Sequence, residues 1–111
     1  MDFVFEKTWK ETVNQLSERF GQPLDYAAIL FIIGLQELGK DHQAYKKDQK
    51  VDIIHIGICS VLMPYGYYQF VGRDEDGWPH FERPEQLPAL LPEDQELLIK
   101  RAIVRYFNET E

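Results

Sequence analysis

The chain has 111 residues, 44% of them hydrophobic and 28% charged, which is one domain's worth of sequence with enough apolar material for a core. Its formal charge is −7, from 19 acids against 12 bases, and a surface of that sign repels phosphate backbones. Nucleic acid is therefore excluded as a partner unless bases cluster, and Lys46, Lys47 and Lys50 form too small a knot for that. A single cysteine cannot make an internal disulfide, so a reducing, cytoplasmic setting is expected.

The first residues, Met1 to Lys7, lack the basic and apolar regions of a signal peptide. The spacing of Phe5, Trp9, Val13, Leu16 and Phe20 predicts a first helix over 3–20 with one apolar face. Thr8 and Glu11 also match a capping box, which would start that helix at Trp9. Gly21 closes it, and Pro23 opens the next element.

A second helix is expected over 25–38, from an Asp25 cap to a Gly39 stop. Tyr26 to Leu35 is the longest uncharged apolar stretch. It is about half of the roughly 20 residues a membrane span needs, so a buried central helix is expected rather than a membrane anchor. Gly34 there either allows another helix to approach closely or only weakens this one slightly.

After a polar connection, a third helix is expected over 48–63, capped by Asp48 and stopped by Pro64. It too is mostly apolar, so the two helices should pack side by side. Residues 67–71 read as a strand, and Asp76-Gly77 ends a run of turn chemistry. Residues 78–82 offer a return strand, which Pro79 either confines to an edge or disqualifies. A lone hairpin is marginal in water and must lie on the helices, with its aromatic rings as the contact surface.

Pro84, Pro88 and Pro92 punctuate an extended connection to a fourth helix that begins at Pro92. Its apolar arc, Leu97 to Phe107, is wider than one core contact needs. Its tail, Asn108 to Glu111, puts acids at the wrong end of the helix dipole and is expected to fray. The fold expected is mainly α with a minor β part: four helices in one compact domain, with a short β-hairpin between the third and fourth.

Chemistry concentrates in residues 51–81. Asp52, His55 and Cys59 fall on one face of the third helix, since 100° per residue puts His55 60° from Asp52 and Cys59 40° from His55. A thiol with a neighbouring imidazole and an orienting carboxylate is the arrangement of a cysteine nucleophile. The ordinary alternative is a helix acid, a core histidine and a buried inert thiol. Nothing in the chain specifies oxyanion donors, so no catalytic residue is assigned.

His55 and Cys59 could share a metal ion, but His42, His80, Asp74 and Asp76 match no zinc spacing, and no metal or other cofactor is assigned. Asp74-Glu75-Asp76-Gly77 resembles a calcium loop only superficially, and a hairpin turn accounts for it better. Tyr65, Tyr67, Tyr68, Phe70, Trp78 and Phe81, with His80, form an aromatic set able to hold the hairpin down or to recognise a partner.

The leading expectation is a non-enzymatic protein-interaction module, binding a partner or a second copy of itself. An acidic protein covering a basic enzyme surface is a third, lesser possibility. The alternative is a small-molecule or metal site near His55, Cys59 and the hairpin. Asp52, His55, Cys59, Tyr67, Trp78 and His80 are the candidate binding residues for either.

Overall fold

The computed structural model describes residues 3–39, 45–84 and 91–110. Within them the order is α1 (Phe3–Phe20), α2 (Tyr26–Leu38), α3 (Lys47–Leu62), a short 3-10 turn (Met63–Tyr65), β1 (Gln69–Arg73), β2 (Pro79–Glu82) and α4 (Pro92–Thr110). This is the expected helical architecture with its hairpin between α3 and α4. His42 and Pro88 lie outside the described residues.

The helix ends follow from local chemistry. The α1 helix starts at Phe3, because Thr8 turns its hydroxyl back to the Val4 carbonyl (3.1 Å) instead of capping a later start. Gly21 ends it with a positive φ of 73°. The Leu24 amide then donates to Ser17 Oγ at 3.0 Å, tying the entry of α2 to the end of α1.

Asp25 caps α2 by accepting from the Ala28 amide at 2.8 Å. The α3 helix begins one residue earlier than its acidic residue suggests. Lys46 occupies the cap position and Gln49 accepts its amide at 3.0 Å, while Asp48 serves as a first-turn acid. Lysine has no side-chain acceptor, so only the glutamine half of a reciprocal cap forms. The α4 helix runs from Pro92 through Thr110.

The pairing of α2 with α3 is the centre of the fold. Ile29, Leu30 and Ile33 on α2 and Ile53, Cys59 and Val61 on α3 are essentially inaccessible. Gly34 and Gly57 sit at the crossing. A methyl group on Gly34 would collide with the Ile53 carbonyl, and one on Gly57 with the Leu30 carbonyl, so backbone meets backbone there. Close packing of this kind maximises dispersion contacts along both helices.

The α4 helix lies on this pair and buries Ile99, Ala102, Ile103 and Phe107 in the main core with Leu16 and Leu24. The α1 helix packs on the outside of α4. Arg101 lies 4.6 Å from the Phe5 ring centre and Lys100 5.5 Å from that of Trp9, so cations bridge the two helices at their rim. The wide arc of α4 is thus largely used within one chain: α3 takes one side and α1 part of the other. Leu97 remains 41% exposed.

The hairpin is a two-stranded antiparallel sheet, and β1 begins two residues later than the sequence suggests. Tyr67 and Tyr68 pack against the helical core instead of pairing. Phe70 faces Phe81 and Gly72 faces His80, which leaves Val71 as a bulge. Pro79 starts β2, where its missing N–H costs least, and is buried against the helices. Trp78 anchors the turn in a second apolar cluster with Leu38, Tyr45 and Ile53. Arg73 donates to the Glu37 and Leu38 carbonyls at the end of α2 (2.8 and 3.1 Å) and to the Gly77 carbonyl (2.7 Å). Its guanidinium satisfies orphan helix carbonyls and fixes the hairpin in place. No helix among the described residues is long and apolar enough to cross a membrane.

Candidate functional site: an acidic cleft between α3 and the hairpin

Where the hairpin leans on α3 it leaves an open cleft of about 540 Å³. Asp52 and His55 line it from α3, and Asp74, Asp76, Trp78 and His80 from the hairpin. These two groups lie some twenty residues apart in the chain. They meet because Pro79 is buried and Trp78 half-buried against the helices while the turn between the strands stays wet.

The turn is organised by Asp74. Its Oδ1 accepts the amides of Asp76 and Trp78, both at 3.0 Å. The Asp74 amide donates to the Trp78 carbonyl (3.0 Å), and the Gly77 amide to the Asp74 carbonyl (3.0 Å). Its other oxygen accepts from His80 Nε2 at 2.9 Å, which makes Nε2 the protonated ring nitrogen, since an ionised carboxylate can only accept. The His80 bond, followed by the Trp78 amide, holds the Asp74 carboxyl below its ordinary 3.8. Asp74 is therefore a firmly ionised carboxylate fixed at the mouth of the cleft.

On the α3 side, His55 is exposed to the cleft and is not the core histidine of the ordinary alternative. Tyr68 meets it edge-on, with ring centres 6.1 Å apart. Its Nε2 lies 3.4 Å from Cys59 Sγ, so the two are within hydrogen-bond reach as their spacing implies. The thiol itself is fully buried, and burial pushes its pKa up from 9.0 to about 11. A thiol held neutral and out of solvent is the opposite of an activated nucleophile.

Four of the six candidate residues, Asp52, His55, Trp78 and His80, thus converge on one solvent-open cleft. Cys59 lies beneath it. Tyr67 lines a separate cavity of about 190 Å³ between the hairpin and α4, which His55 also borders from its other side. Asp74 and Asp76, which the sequence offered only as turn residues or stray metal ligands, belong to the cleft. The signal that could have placed them was their adjacency to Trp78 in a turn that had to fold back on α3.

The lining combines three carboxylates, two imidazoles and the rings of Trp78 and Phe81, with no lysine or arginine among the described residues that form it. Such a surface suits a cation with a flat or extended body. Among the described residues, no group of three or more His, Cys, Asp or Glu side chains is arranged to hold a metal ion.

A second depression, a largely apolar groove of about 710 Å³, lies between the end of α1, α2 and Phe107 of α4. Phe20, Phe31, Ile32 and Leu35 contribute to it. It arises because α2 is apolar on more sides than α3 and α4 can cover. Compared with known proteins, the chain matches no family model, and neither a curated protein nor a solved structure resembles it.

Proposed function

We propose that this protein is a non-enzymatic interaction module that receives a basic segment of a protein partner in the cleft between α3 and the hairpin. The observation that carries the reading is the convergence of Asp52, Asp74 and Asp76 around Trp78 in an open cleft that has no lysine or arginine in its described lining. The net charge of −7 extends the same attraction over the whole surface and would speed encounter with a basic partner. The buried, neutral thiol supports a binding role over nucleophilic catalysis. A second copy carries the same charge and the same acidic cleft, so self-association would have to use a different face.

The test is binding of a fluorescent oligoarginine peptide by anisotropy at low ionic strength, with an oligoglutamate peptide as control. The Asp52→Asn, Asp76→Asn double variant should weaken binding about tenfold, at roughly 0.5–1 kcal/mol per partly exposed charge. A Glu11→Gln, Glu18→Gln variant, with the same charge change on the exposed side of α1, should keep most of the affinity. Equal losses in the two variants would reduce the interaction to net charge and remove the cleft from the explanation. The small-molecule reading rests on the same lining. It would be favoured if arginine amide alone bound as tightly as the peptide.

A further inference from the structure

Two histidines border a binding surface whose attraction is otherwise carried by carboxylates. Histidine is the side chain that changes charge between pH 5 and 8. His80 donates to Asp74 at 2.9 Å, and His55 sits one helical turn beyond Asp52. Given the basic-segment reading above, on which this inference rests, we propose that the cleft is pH-gated. With His55 and His80 neutral, three carboxylates face the partner. With both protonated, two imidazolium cations occupy the same wall and the partner is released.

The surroundings of both rings are specific. His80 is bonded by Asp74 of its own hairpin, and Asp76 and, from α3, Asp52 line the same cleft. His55 has Asp52 and the neutral Cys59 thiol on its own helix. Tyr67, Tyr68 and Arg83 of the segment around the hairpin border its other side, and α4 presents the uncharged Gln95 there. Among the described residues, the charged side chains that share the cleft lining with the two imidazoles are all carboxylates. Each protonation then places a cation beside a carboxylate that the partner needs. Asp74 stays ionised throughout this range, because its carboxyl is held below the ordinary value. The change in the cleft thus comes from the imidazoles and not from loss of the acids.

Gating has a thermodynamic reciprocal. A ligand that prefers neutral imidazoles must make them harder to protonate when it binds. Two different measurements therefore report on the same coupling.

The experiment compares oligoarginine affinity at pH 7.5 and 5.5, at fixed ionic strength, for the wild type and for His55→Gln, His80→Gln. Glutamine is neutral at both pH values, and its amide can still donate to Asp74. The wild type should lose about tenfold on acidification, while the double variant should change by about twofold or less. Imidazole titrations followed by NMR should shift to lower pH for both histidines in the presence of peptide. Wild-type binding that is equal at the two pH values overturns the gate and leaves the basic-segment reading standing. The same acid loss in the double variant, or unmoved imidazole titrations, also overturns the gate. Absence of binding at both pH values overturns the gate and the basic-segment reading together.

Discussion

Gly34 and Gly57 face one another across the α2–α3 crossing, so closely that a methyl group built on Gly57 would lie 3.3 Å from the Gly34 amide nitrogen. The contact sets how near the two central helices come. It also sets where α3 holds Asp52 and His55 relative to the hairpin.

Gly34→Ala should therefore destabilise the protein. On an exposed helix the same change would add about 1 kcal/mol of stability. Here the new methyl group meets the Ile53 backbone, and the helices must separate. Overpacking of this kind costs about 1–3 kcal/mol, occasionally more. Urea unfolding followed by circular dichroism gives the sign, and an unchanged or raised midpoint would mean that the crossing is looser than described.

Arg73→Lys should loosen the hairpin. Lysine keeps the charge but cannot span the Glu37, Leu38 and Gly77 carbonyls that the guanidinium joins. The expected loss is about 1–2 kcal/mol, because the group is partly wet. Trp78 fluorescence should shift to the red and the β1 amides should exchange faster. Retention of wild-type exchange would show that Trp78 and Pro79 hold the hairpin without the arginine.

Stability should fall on the alkaline side. Burial raises Cys59 from 9.0 to about 11, and it raises Tyr26 and Tyr106 from 10.0 to about 12, aided by Glu96 and Glu37 respectively. Folded-state values above the ordinary ones mean that the folded protein binds more protons in this range, so stability falls as pH rises. It is fully present below about pH 9 and is lost progressively up to about pH 12. Cys59→Ala should remove the earliest part of that loss. Maleimide labelling of Cys59 at neutral pH should be slow until denaturant is added, and fast labelling of the folded protein would contradict its burial.

The helices were legible because their signals are local. Apolar spacing gave α1, continuous apolarity gave α2, and Pro92 with its following acids gave the start of α4. The hairpin was legible as a hairpin but misplaced at β1. Tyr67 and Tyr68 have strand-like composition, yet their rings are claimed by the core, and tertiary packing overrode local preference. The site was half legible. Helical arithmetic set His55 beside Cys59 but could not say which of them would meet solvent, since that depends on where the hairpin lands. Asp74 looked like a turn former and is one, and its second role appears only when α3 stands opposite. The groove at Phe20 and Phe31 had its signal in the surplus apolar faces of α2, which gave no hint of where the surplus would open.

The most direct measurement is NMR mapping of oligoarginine addition to the isotope-labelled protein at neutral pH. We expect the shifts to fall on the Trp78 indole N–H and on the amides around Asp52, His55 and residues 74–80. Shifts centred instead on Phe20, Phe31 and Leu35, or spread evenly over acidic residues of every helix, would contradict the assignment of the cleft as the binding surface.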